Sequence, residues 1–363
     1  MSEGREPQHK LHVAVAGGGL IGLSISWRLA QQGFRVSLFE KGSIGKEASW
    51  AGAGMLSPGG EFDSSSPLLK LAVESRRLYR DFVRELEQIS QTEIDYQECG
   101  ALELAYGTAG WEALRNRSEE QTVLGIRTKT LDLQQVRTFW PRVRLEGLTG
   151  AIFYSDDAIV NPRDLVTALK VACGHAAVTI SEDAAISDVD LRHDGIDFSA
   201  GGVAHRADAI VVAAGAWSGL IQLRNAPPLP ASFPVKGHLI GFDQPDQTCS
   251  TIVRRSHTYL LQRANGLLIA GASVEDVGWD ARIDPEVAAF LAAEASFVMP
   301  HLAETSPSEI WIGFRPGGAT LSLGAWHSPR LYLAYGHYRN GILLAPVTAD
   351  KIAQEISANL RKR

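Results

Sequence analysis

Gly17, Gly19 and Gly22 fall in the spacing G-x-G-x-x-G, directly after the apolar run His12 to Ala16 and at the start of the periodic segment Leu20 to Gln32. That arrangement suits a pyrophosphate, because glycine lets the backbone approach the anion while a first helical turn offers N–H donors and a favourable dipole. Glu40 follows about 20 residues later, where a carboxylate accepts from adenosine ribose hydroxyls and disfavours a 2′-phosphate. Together these residues point to a dinucleotide. A glycine turn with a surface glutamate in another nucleotide fold is the plainer alternative.

Two further segments bear on which dinucleotide. Ala48-Ser49-Trp50-Ala51-Gly52-Ala53-Gly54-Met55-Leu56 is rich in small residues, so its backbone can lie against an extended cofactor; taken alone, it also reads as a flexible glycine loop. Gly336 to Gly341 forms a loop before an apolar helix that begins near Ile342. A helix N-terminus there would stabilise the negative charge that a flavin acquires around N1 and O2, although an ordinary Asn-Gly turn fits the same residues.

Polar side chains come from the second half of the chain. Residues two apart on a strand share a face, so Trp311, Gly313 and Arg315 are expected to project together, as are His257 and Tyr259, and both sets would line one pocket. Arg315 can grip a carboxylate with a bidentate fork and Tyr259 can add a hydroxyl donor. A surface ion pair and a core position are the structural alternatives for these two. His257 and His337 read as structural; with no H-x-H or H-x-x-E-H spacing and no C-x-x-C pair, no metal is expected. The adjacent Asp156 and Asp157 read as solvated loop residues.

Two kinds of element must hold these groups. His12 to Ala16, Leu20 to Gln32 and Arg35 to Glu40 form the βαβ opening of a doubly wound sheet. From Leu71, the spacing of Leu78, Phe82, Leu86 and Ile89 predicts an amphipathic helix that leaves this sheet for a second domain. Asn161-Pro162 starts a helix over 163–173, and 209–214 is a buried strand. Pro227, Pro228, Pro230 and Pro234 mark the return crossing. Antiparallel sheet follows, with strands at 258–262 and 267–270 around an Asn265-Gly266 turn, a helix capped by Asp284-Pro285-Glu286, and a strand at 310–315. A strand at 331–335 and a helix running to the basic end Arg361-Lys362-Arg363 close the chain. The expected fold is α/β: a Rossmann-type FAD-binding domain (1–80, 148–228 and 320–363) and an α+β substrate domain on an antiparallel sheet (81–147 and 229–319).

Composition agrees. A chain of 363 residues exceeds one ordinary core, and its formal charge of -6 comes from intermixed signs, so no basic stripe favours nucleic acid. Cys99, Cys173 and Cys249 are too few for a disulfide framework, which fits a reducing cytoplasm. Three glycines interrupt the apolar run from Val13 to Ile25, so it is a poor signal peptide or membrane span.

The Gly17 to Gly22 turn, Gly52 to Leu56, and above all Gly336-His337-Tyr338-Arg339-Asn340-Gly341-Ile342-Leu343-Leu344-Ala345-Pro346 resemble the D-amino acid oxidase superfamily, and within it the glycine oxidases of thiamine biosynthesis. The resemblance runs nearly end to end, through Pro234-Val235-Lys236-Gly237, His257-Thr258-Tyr259 and Gly313-Phe314-Arg315-Pro316. It implies non-covalent FAD held by Leu20, Ile21, Glu40, Lys41, Ala48, Ser49, Ala53, Gly54, Met55 and the loop His337, Tyr338, Arg339, Asn340, Gly341, Ile342 and Leu343, with a backbone contact from Ile186. It implies that Arg315 and Tyr259 bind a carboxylate and that Arg339 lies beside the substrate. None of the cysteines lies in a loop matching the covalent flavin attachment of sarcosine oxidases. The implied reaction is oxidative deamination of glycine, sarcosine or a small D-amino acid, without a protein base, to an imine and then an oxo acid and ammonia. Molecular oxygen would become hydrogen peroxide. A dehydrogenase that passes electrons to a quinone or carrier, and a non-catalytic flavin-binding protein, remain open alternatives. The superfamily tends to form homotetramers or dimers. One departure is the shortened stretch Gly317 to Ser322, which replaces an Asp-x-x-Pro segment and bears on cofactor affinity.

Overall fold

A computed structural model describes residues 10–246, 249–318 and 320–361. Ala319 and the basic residues Lys362 and Arg363 lie outside them. The strand His12–Ala16 is buried along its whole length because it is central. It pairs in parallel with Arg35–Phe39 on one side and Ala209–Val212 on the other. The complete sheet runs Ser322–Trp326, Ser328–Tyr335, Ala209–Val212, His12–Ala16, Arg35–Phe39, Thr179–Ser181, with its first strand antiparallel. Alternation within the central strand sets the layers. Val13 and Val15 join the larger core cluster, under the helices Leu20–Gln31, Pro162–His175 and Gly341–Leu360. Ala14 and Ala16 face a separate cluster with Val189, Ile196 and Phe198. A four-stranded sheet, not a second helical layer, therefore covers that face of the Rossmann sheet.

The helix expected from Leu71 spans Leu69–Ser90, and it does not leave this layer. Its stripe of Ala72, Tyr79, Phe82 and Leu86 is buried, and it packs on Pro162–His175 and Gly341–Leu360. Two helices were available to cover the stripe, so burial kept it in place. Ser75 Oγ donates to Leu343 O at 2.6 Å and Tyr79 Oη to Ile342 O at 2.7 Å, which tie down the first turn of the last helix.

The second large sheet has eight strands in the order Glu309–Gly317, Phe233–Asp243, Leu267–Gly271, Thr258–Gln262, Ile252–Arg255, Ala101–Tyr106, Leu148–Tyr154, Thr128–Leu131. It is antiparallel except where Ile252–Arg255 meets Ala101–Tyr106. Residues 148–154, expected in the nucleotide layer, are a strand of this sheet because they alternate with Ala101–Tyr106 and Thr128–Leu131 around a shared core. The hairpin at Asn265-Gly266 is present, with Gly266 at φ +90°. Asn161 and Asp284 cap the helices that follow them. The proline stretch is irregular over 225–232, whereas Pro234 lies inside the strand Phe233–Asp243, opposite Pro316.

Candidate active site

One continuous cavity begins at the phosphate turn and ends between the two large sheets. At its outer end, Gly17 has φ +107° and donates to Phe39 O at 2.8 Å, and a Cβ there would run into Ala213 O. A Cβ on Gly22 would collide with Gly17 O, so turn and helix touch through bare backbone. Glu40 is buried; its carboxylate accepts from Gly18 N at 2.7 Å and Gly42 N at 3.1 Å. Each carboxylate oxygen keeps lone-pair capacity for a ribose hydroxyl. Ser49 Oγ accepts from Leu20 N at 2.9 Å, which leaves its own proton for an acceptor at the helix start.

The small-residue segment is a clamped structure and not a flexible loop. It forms one helical turn, Ala48–Ala51, and a short strand, Met55–Leu56. Donors from elsewhere hold its carbonyls: Trp311 Nε1 reaches Ala51 O at 2.9 Å, Arg263 Nη2 reaches Ala53 O at 3.0 Å, and Arg163 Nε reaches Trp50 O at 3.4 Å. Arg163 also stacks over the Trp50 ring, with 3.8 Å to its centroid. Burial lowers the Arg263 guanidinium to about 10. Glycine is required opposite: a Cβ on Gly313 would overlap Ala51 Cβ. The walls therefore stay narrow and flat, as a planar ring system requires.

At the inner end stand Tyr259, Arg315, Arg339 and a residue with no motif to announce it, Glu61. The Arg315 guanidinium lies flat over Gly237, where a Cβ would displace it, and Nη1 donates to Ser273 O at 3.0 Å and Lys236 O at 3.3 Å. Those bonds use one nitrogen and leave the other N–H donors of the fork for a ligand. Burial lowers the Arg315 pKa, with Tyr259 opposing, yet guanidinium starts so high that it stays cationic at neutral pH. Burial raises the Tyr259 phenol against the pull of Arg315 and Arg339, so it remains a protonated donor. Arg339 is engaged by Glu61, with Nε 3.1 Å from Oε2.

The cavity walls carry every residue expected to hold FAD or the carboxylate except Gly22 and Leu343, and they carry Gly313 and Arg315 but not Trp311, whose ring nitrogen binds Ala51 O instead. Gly22 acts beneath the turn, and Leu343 is buried in the core with its carbonyl bonded to Ser75. His257 does not share the Tyr259 face; it lies in the exposed turn before that strand. Asp156 is paired with Arg127 at the surface, but Asp157 is 1 % exposed and bonds Arg254 at 3.0 Å, so the pair is not uniformly solvated. The shortened loop comes back on the cofactor side: a Cβ on Gly336 would lie 2.8 Å from Thr320 O. Among the described residues, no group of three or more His, Cys, Asp or Glu could hold a metal. No described helix is long and apolar enough to cross a membrane.

His337 sits at the entry of the last loop, buried, with Nε2 3.1 Å from Thr348 Oγ1, and burial lowers its pKa to about 4. It is a neutral wall and not an acid–base group at pH 7. A depressed folded-state pKa means stability is complete above the ordinary histidine value of 6.5 and is lost as pH falls toward 4. Relative to His337→Asn, the parent is expected to lose about 3 kcal/mol across that interval, measured as a pH-dependent gap in denaturation midpoints. The paired comparison cancels Asp157, whose carboxyl burial raises to about 6 and which shifts stability the opposite way.

Residues 12–355 match a family model described as FAD dependent oxidoreductase. The glycine oxidase of Geobacillus kaustophilus (strain HTA426) is 32 % identical over 349 residues, covering 95 % of this chain and 92 % of that protein. A bifunctional protein ThiO/ThiG of Synechocystis is 33 % identical over 354 residues, covering 95 % of this chain and 51 % of that longer protein. The crystal structure of glycine oxidase from Geobacillus kaustophilus superposes with a TM-score of 0.90 at 30 % identity, covering 97 % of this chain and 95 % of that one. The cradle at Gly17 to Gly22, the free lone pairs of Glu40 and the flat walls around Ala48 to Met55 fit the cofactor of such proteins. The chain belongs to the FAD dependent oxidoreductase family, and it is a glycine oxidase-like enzyme that uses FAD and acts on CH–NH2 donors.

Proposed function

We propose that the enzyme deaminates glycine or a similarly small amine monocarboxylate, such as sarcosine or a small D-amino acid, with molecular oxygen as the electron acceptor. The observation that carries this reading is that Arg315 and Tyr259 line the same cavity at its inner end, beside glycine at 237 and 313. Bound FAD would supply the two-electron acceptor. The free N–H groups of Arg315 would grip the substrate carboxylate, and the Tyr259 hydroxyl would donate to the same group. Held at that end, the substrate has its α-carbon fixed along the cavity axis, and positioning of this kind accounts for a large share of catalysis. Among the described residues at this end, the two side chains that could act as a base are engaged: Glu61 is bonded to Arg339, and His337 turns Nε2 toward Thr348. Loss of the α-hydrogen is then assisted by the substrate's own neutral amine. Similarity to glycine oxidase and to part of a bifunctional ThiO/ThiG supports the substrate class, and on the resemblance we also propose a place in thiamine biosynthesis.

Incubation with glycine in air is expected to yield glyoxylate, ammonia and peroxide in equal amounts. Dye reduction with little peroxide would instead mark a dehydrogenase. No product from any small amine acid would remove this reading.

A further inference from the structure

We propose that Glu61 sets the charge of the substrate chamber and thereby restricts it to amines that carry a single carboxylate. This inference rests on the function proposed above.

Among the described residues, the charged side chains that border the inner end of the cavity are Arg315, Arg339 and Glu61. Glu61 binds Arg339 in two places, with Nε at 3.1 Å from Oε2 and Nη2 at 3.5 Å from Oε1. Among the described residues that line this end, one guanidinium, Arg315, is then unmatched by a carboxylate, and it suits one substrate carboxylate. A second carboxylate would have to displace Glu61 from Arg339 while facing its negative charge at close range.

The backbone that carries Glu61 is held in place. It ends the one-turn helix Pro58–Glu61, and the fully buried Gln121 donates from Nε2 to both Gly59 O and Phe62 O at 2.7 Å. Gly60 rests against the Arg254 guanidinium, in space that a Cβ would need. Arg254 adds no free charge, because Asp157 at 3.0 Å and Glu103 at 3.6 Å balance it. The backbone is thus anchored from behind, and the carboxylate is held at its front by Arg339.

The test uses purified holoenzyme and two non-oxidisable ligands, acetate and malonate, read by perturbation of the flavin band and by calorimetry. Glu61→Gln keeps the size and frees Arg339, so the malonate-to-acetate affinity ratio is expected to rise about tenfold or more. In the double variant with Arg339→Gln the gain should vanish. Arg339→Gln alone leaves Glu61 unmatched and should lower the ratio below that of the parent, which keeps the test decisive if Glu61→Gln does not fold. An unchanged ratio in either single variant, or a gain that persists in the double variant, overturns the proposal. Oxygen uptake with sarcosine and N-(carboxymethyl)glycine separates the two claims. If amines are oxidised but the ratio stays fixed, this inference fails alone. If the ratio shifts but no amine is oxidised, the function proposed above fails and the charge assignment stands.

Discussion

Replacing Arg315 by methionine is expected to lower kcat/KM for every carboxylate substrate by about two to three orders of magnitude, with FAD still bound. Methionine keeps most of the stem volume but removes a buried charge-assisted partner, a loss that typically costs about 2 to 5 kcal/mol. Ser273 O loses its donor as well, while Lys236 O keeps the one from Glu275 N, so a lower melting temperature should accompany the kinetic effect. Arg315→Lys separates the two contributions, since it keeps the charge and loses the fork, and it should fall between parent and methionine. Steady-state kinetics with glycine and sarcosine on flavin-matched samples would show this. Unchanged kcat/KM in the methionine variant would mean the carboxylate binds elsewhere.

Gly22→Ala should produce a colourless protein. The new methyl would overlap Gly17 O, and Gly17 cannot retreat because its own φ of +107° and its bond to Phe39 O fix the turn. FAD affinity is expected to fall at least about a hundredfold, roughly 3 kcal/mol, read by absorbance of the purified protein and by titration with added FAD. Gly33→Ala is the matched control: it has φ +88° but nothing within 4 Å of a Cβ, so it should cost about 1 kcal/mol of stability while flavin stays bound. Equal flavin content in Gly22→Ala and the parent would show that the turn does not govern cofactor binding.

Local chemistry explains which parts could be read from the sequence. The Gly17 to Gly22 turn, the Asn265-Gly266 hairpin and the caps at Asn161 and Asp284 each depend on residues within a few positions, and all are present. Tyr259 and Arg315 lie far apart in sequence and meet because their strands belong to one sheet; the resemblance assigned them a shared role, and alternation alone left other readings open. Glu61 was hidden. It sits in Pro58-Gly59-Gly60-Glu61, which has no catalytic pattern, and its partner Arg339 is distant in sequence. An unexplained carboxylate just after the Gly52 to Leu56 segment was the only signal available. The course of Leu69–Ser90 was misjudged because periodicity reports that a helix has an apolar stripe, not which neighbour covers it. Residues 148–154 carry no local signal for the sheet that accepts them, so the boundary at 148 fell one strand early. Asp157 shows the same limit: it looks like a surface charge until tertiary packing buries it against Arg254.

The most direct measurement is an anaerobic titration of the purified yellow protein with glycine, sarcosine and D-alanine while the visible flavin band is followed. Stoichiometric bleaching by at least one of these is expected, restored by air with release of peroxide, with little bleaching in Arg315→Met at the same concentration. A band that no small amine monocarboxylate bleaches, in protein with full FAD content, would contradict it.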